Sequence, residues 1–150
     1  YLNSSFELNT LNRLQSLETD GGSGRDVRWK AIINTVSNSN IINFLFGHGH
    51  RSTAIYFRGE AHNDFLQVLF EYGLFALFLY ISFFTSLLRS SYLMFKTKYP
   101  YAKNFFISII AALFLAMFSF FIIEPRYITA IAITWGLLLA DWYKFKKQKI

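Results

Sequence analysis

His62 is the residue best suited to moving a proton near neutral pH, and it opens a polar run, His62-Asn63-Asp64, followed by Gln67 and Glu71. An imidazole ordinarily titrates at about 6.5, so one at a water interface beside acids can accept a proton from a hydroxyl. The bland alternative is an interfacial or capping histidine with no chemical part. His48 and His50 stand in the loop Gly47-His48-Gly49-His50-Arg51-Ser52. Three imidazoles and an open position suit catalytic zinc, but His-Gly-His is weakly specific and no carboxylate has ligand spacing, so no metal is expected. Arg25, Arg28, Arg51 and Arg58 form the other chemical set. Guanidinium stays charged and binds phosphate through paired N–H groups, which suits a diphosphate at a membrane surface. For any one of them the alternative is an ion pair with Glu18, Asp20, Asp26 or Glu60, or a lipid headgroup contact. The chain has no cysteine, no Gly-x-Ser-x-Gly elbow and no phosphate loop, which argues against thiol, serine-hydrolase and nucleotide-driven chemistry.

These groups need a carrier, and the stretch from His62 to Leu88 supplies one. Phe65 to Leu88 is interrupted only by Gln67 and Glu71 and is long enough for a helix to cross a hydrocarbon layer of about 30 Å. Asn63 or Asp64 caps its start. Asp64, Gln67 and Glu71 fall on one helical stripe, which must face protein or a water-filled cleft because lipid offers such groups no partner. Helices beyond this chain are expected to cover that stripe. With 53% apolar and 20% aromatic residues, the composition argues for a membrane protein. The net charge of +6 is concentrated after residue 88, in Arg89, Lys96, Lys98, Lys103 and Lys144, Lys146, Lys147, Lys149. Both patches flank apolar runs, so the positive-inside rule accounts for them better than nucleic-acid binding does.

In chain order, residues 1–63 are expected to form an external loop with short helices. The first is amphipathic, over 1–18, with Leu8, Leu11, Leu14 and Leu17 on one side and Ser4 with Glu7 as a capping box. Residues 19–24 break it. A second helix runs from Arg25 to about Ser37, capped by Ser23 and buried through Trp29, Ile32, Ile33 and Val36. Ile41 to Phe46 is too short to span and packs on protein or dips into the interface. The glycine-punctuated loop at 47–52 could offer backbone N–H groups to a ligand. Three spans are then expected, at 64–88, 105–123 and 127–143, separated by a cytoplasmic loop at 89–104 and an external turn at 124–126. Residues 144–150 form a cytoplasmic tail. Ser108, Ala111, Ala112 and Ala116 are available for close helix contacts in the second span. The fold class is all-α integral membrane protein.

Arg25-x-x-x-Trp29 on a helix, Phe46-Gly47-x-Gly49, then His62-Asn63, nine residues and Gly73 at the start of a span resembles the external loop and following helix of bacterial O-antigen ligases and O-antigen or capsule polymerases. The similarity runs from about Ser23 to Leu88. Ala76 stands where that pattern expects Gly, Thr or Tyr. Members have more spans, so the resemblance implies that this chain is the C-terminal part of a larger polytopic glycosyltransferase in the bacterial cytoplasmic (inner) membrane. It implies glycan transfer from an undecaprenyl-diphosphate-type lipid carrier to a sugar hydroxyl on the external or periplasmic side, in lipopolysaccharide or capsule biosynthesis. Polymerase is favoured slightly over ligase, and neither cofactor nor metal is implied.

The implied partners are the lipid-linked oligosaccharide donor, a glycan or lipid A core acceptor, membrane lipid and other polysaccharide assembly proteins, with no nucleic acid. His62 and Arg25 would be catalytic, the imidazole on the acceptor hydroxyl and the guanidinium on the leaving diphosphate. Arg28, Arg51 and Arg58 are further diphosphate candidates, with Asn63, Glu71, Gly47, Gly49 and Gly73 in support. Glu71 or Glu60 would back His62, Glu71 only if His62 precedes the helix. The rival from another class is a non-catalytic membrane module, a transporter or scaffold subunit, whose arginines bind anionic headgroups.

Overall fold

The computed structural model describes residues 24–118 and 125–148, so the amphipathic helix expected over 1–18 lies outside them. All regular structure among the described residues is helical: α1 (Arg25–Ser37), α2 (Ile41–Phe46), α3 (Ser52–Phe57), α4 (Asp64–Lys96), α5 (Ala102–Phe118) and α6 (Pro125–Lys147). Of these, α4 alone is long and apolar enough to cross a membrane.

The residue at the start of α1 is Gly24, in the left-handed region, and the expected cap Ser23 lies outside the described residues. Ile32 and Val36 are its buried residues, Trp29 is half-buried, and Ile33 turns outward against expectation. Asn40 caps α2 by accepting from Asn43 N at 2.8 Å. This helix packs on protein, against α4, with Phe44 on the core of Ile32, Val36 and Phe70, while Ile41, Ile42 and Phe46 are about two-thirds exposed.

The 33-residue α4 runs on to Lys96, so the expected loop at 89–104 shrinks to the short connection before Ala102. It is also interrupted. Gly73 has φ 81 and ψ −177, a conformation essentially confined to glycine, which divides α4 into a polar segment up to Tyr72 and an apolar one from Leu74. At 1.5 Å per residue the second part is roughly 35 Å long, enough to cross a hydrocarbon layer by itself. The acidic stripe therefore belongs to a separate segment ahead of the apolar one.

Two cores sit on either side of this interruption. One gathers Ile32, Val36, Ala61 and Phe70 from α1, the loop and the polar segment. The other joins Phe84, Leu87 and Met94 of α4 to Phe105, Ile109, Ala112 and Ala116 of α5 and Trp135 of α6. Ala112 and Ala116 make the expected close contacts, and Ser108 Oγ accepts from Trp135 Nε1 at 2.9 Å, whereas Ala111 is exposed. Of the expected turn at 124–126, Pro125 and Arg126 belong to α6, with Pro at the first helical position where its fixed φ fits, and residue 124 lies outside the described residues.

Candidate functional site

The loop between α3 and α4 carries His62, and the polar segment of α4 stands behind it. Asn63 is the helix cap, its Oδ1 accepting from Leu66 N at 3.0 Å, so His62 lies just before the helix. His62 has φ 51, in the left-handed region that a residue with a Cβ enters at a cost of about 1 kcal/mol. The backbone around it is held from α1. Arg28 Nη1 donates to the Glu60 carbonyl at 2.7 Å, and Trp29 Nε1 donates to the Ala61 carbonyl at 2.7 Å.

Arg25 and Asn63 meet at the far end of α5. Arg25 Nη1 donates to the Phe118 carbonyl at 3.1 Å and Asn63 Nδ2 to the Met117 carbonyl at 3.1 Å. Partial burial, then the charges of Arg25 and Arg28, lower the His62 pKa below its ordinary value, while Glu60 pulls it up. His62 is therefore a neutral imidazole at pH 7, able to accept a proton, with two guanidiniums in its electrostatic field. The structure thus brings together His62, Arg25, Arg28, Asn63 and Glu60.

Glu71 belongs elsewhere. Its carboxylate accepts from Arg51 N at 3.0 Å and from Gln67 Nε2 at 3.2 Å, and lies 3.9 Å from His50 Nδ1. Of the two acids expected behind His62, Glu60 is the one whose charge acts on it. Glu60 is tied to Glu71 through a residue that spacing alone did not single out for this part: Gln67 Nε2 also donates to Glu60 Oε2, at 2.6 Å. Asp64, Gln67 and Glu71 are 0, 2 and 1% exposed, so this chain's own loop and helices cover the stripe that was expected to need helices from outside it. Tyr80 Oη donates to Asp64 Oδ2 at 3.4 Å from the apolar segment.

The glycine loop packs on α4 instead of presenting its amides to a ligand. His48 N and Gly49 N donate to the Phe70 and Glu71 carbonyls, both at 2.9 Å. These acceptors lie where the break at Gly73 interrupts the helical ladder, so the loop supplies donors that the helix cannot. The approach is made by a glycine pair. Gly47 repeats the φ 81, ψ −177 of Gly73, and a Cβ on Gly47 would lie 2.3 Å from the Glu71 carbonyl oxygen, one on Gly73 2.3 Å from that of Leu45.

His48 stacks on Phe70 at 4.4 Å, and His50 Nδ1 is hydrogen-bonded to Tyr72 Oη at 2.6 Å, so these two imidazoles serve the crossing and not a site shared with His62. Among the described residues no group of three or more His, Cys, Asp or Glu could hold a metal ion. Arg51 and Arg58, both left-handed and exposed, stand at the two ends of α3. The contacts of Trp29 and Arg28 could have been anticipated: Arg25, Arg28 and Trp29 at i, i+3 and i+4 share one face of α1. Compared with known protein families, with curated proteins and with solved structures, the chain matches none.

Proposed function

We propose that this chain is the C-terminal part of a multi-span bacterial inner-membrane glycosyltransferase of the O-antigen polymerase or ligase type. It would move a polyprenyl-diphosphate-linked glycan onto an acceptor sugar hydroxyl at the external face. In this reading α4, α5 and α6 are three spans, and the polymerase activity is slightly favoured. The supporting observation is that His62 sits at the start of α4, on backbone held by Arg28 and Trp29 and in the field of Arg25 and Arg28, with the apolar, membrane-length segment of the same helix beginning after Gly73.

The chemistry follows from those groups. The acceptor hydroxyl oxygen attacks the anomeric carbon as the bond from that carbon to the diphosphate oxygen breaks, and His62 takes the hydroxyl proton. The diphosphate leaves with the bonding pair, and a guanidinium stabilises its charge. Arg25 keeps N–H groups beyond the one engaged with Phe118.

A second reading, a non-catalytic transporter or scaffold module, draws on the same hydrogen bonds, since both arginines also hold backbone carbonyls. One experiment separates the two: His62→Ala and Arg25→Ala in a cell that depends on the gene for surface polysaccharide, with membrane protein level measured alongside. Loss of long chains at normal protein level is the expected result. Single repeat units on lipid A core would then mark a polymerase, and unattached lipid-linked polymer a ligase. Unchanged polysaccharide in both variants would sink the catalytic assignment and favour the module.

A further inference from the structure

At the opposite end of α4 the fold joins two basic segments that lie far apart in the sequence. Lys96 ends α4, Lys98 lies in the connection, Lys103 opens α5, and Lys144, Lys146 and Lys147 occupy the last turns of α6. All six side chains are exposed. Two hydrogen bonds and a ring contact hold the segments side by side: Tyr99 Oη donates to Asp141 Oδ2 at 2.6 Å, Trp142 Nε1 donates to Thr97 Oγ1 at 3.0 Å, and the Tyr99 and Phe145 rings meet at 5.4 Å. Asp141 is the one acid among the described residues after position 88, and it is engaged by Tyr99. Half-exposed Tyr92, Tyr101 and Tyr143 ring the same end, with Lys96 and Lys147 each 4.9 Å above a tyrosine ring.

We infer that these six lysines form one docking surface for the phosphate headgroups of acidic phospholipid, with the tyrosines set at the headgroup level. A bilayer fits better than a soluble polyanion, because the lysines cap an apolar helix of membrane length and sit beside an aromatic girdle, as interfacial anchors do. This rests on the membrane reading of α4 and not on glycosyl transfer, so an inactive but inserted protein tests it equally well.

The test is native mass spectrometry of the full chain released from detergent, titrated with phosphatidylglycerol or phosphatidylcholine. Phosphatidylglycerol should bind more tightly, and K96Q/K98Q/K103Q and K144Q/K146Q/K147Q should each weaken it by at least about tenfold while leaving phosphatidylcholine unaffected. The matching Lys→Arg triples should retain binding, which separates charge from misfolding. Tyr99→Phe with Thr97→Val should weaken it with every lysine intact, because the two segments then part. Equal affinity for the two lipids, or a Gln triple without effect, would overturn the proposal. So would displacement of the lipid by inorganic phosphate or an oligonucleotide at equal concentration.

Discussion

His62 combines a left-handed backbone, a lowered pKa and two guanidiniums whose charge acts on it. Each is separable by substitution. His62→Gly removes the imidazole but suits φ 51, so thermal unfolding in detergent should show stability unchanged or raised by about 1 kcal/mol, while polysaccharide assembly is lost if the proposed chemistry holds. A concurrent drop in stability would mean that the side chain holds the loop. The pKa has its own sign. Because the folded value lies below the ordinary 6.5, the contribution to stability is complete above that value and is lost as the pH falls through the folded value. Glu60→Gln removes the one upward influence, so the His62 signal in spectra of ¹³C-histidine-labelled protein should titrate at still lower pH; an upward move would contradict the electrostatics described here. Much of this was legible from residue order: a histidine ahead of an asparagine cap, and Arg25, Arg28 and Trp29 on one face. The link from Glu60 through Gln67 to Glu71 was not, because it exists only once the loop after α3 folds back on α4.

Among the elements, α4 carries the difference between pattern and structure. Its apolar composition reads as continuous through Gly73, since an isolated glycine in a helix costs only about 1 kcal/mol and leaves the periodicity intact. What ends the helix there is tertiary, the close passage of the chain at Gly47. Gly73→Ala and Gly47→Ala each set a methyl against a backbone carbonyl in a conformation reserved for glycine, and should destabilise by about 3 kcal/mol or more. Gly136, inside α6, has open space where a Cβ would go, so Gly136→Ala should be neutral or stabilising by up to about 1 kcal/mol. Detergent unfolding curves for the three variants would reveal an error if they ranked otherwise. The helices that sequence periodicity bounds well are those, like α1, whose ends are set by local turn chemistry.

For the whole molecule, the break at Gly73 divides a polar, histidine-bearing half from a bundle with exposed apolar sides and a lysine-rich end. If α4 crosses the bilayer as proposed, a cysteine at position 58 and one at position 98 should react with impermeant maleimide from opposite sides; labelling of both from one side would exclude that crossing. The meeting of the glycine loop with α4 also alters how the surface responds to water over time. Amide protons of His48 and Gly49, in a short loop rich in glycine, would ordinarily exchange with deuterium almost at once. Here both are locked onto carbonyls of the buried segment, so their exchange can proceed only when that segment opens. Two loop amides should then keep time with the core around Phe70, a slow clock lodged in what looks, from composition, like a mobile loop.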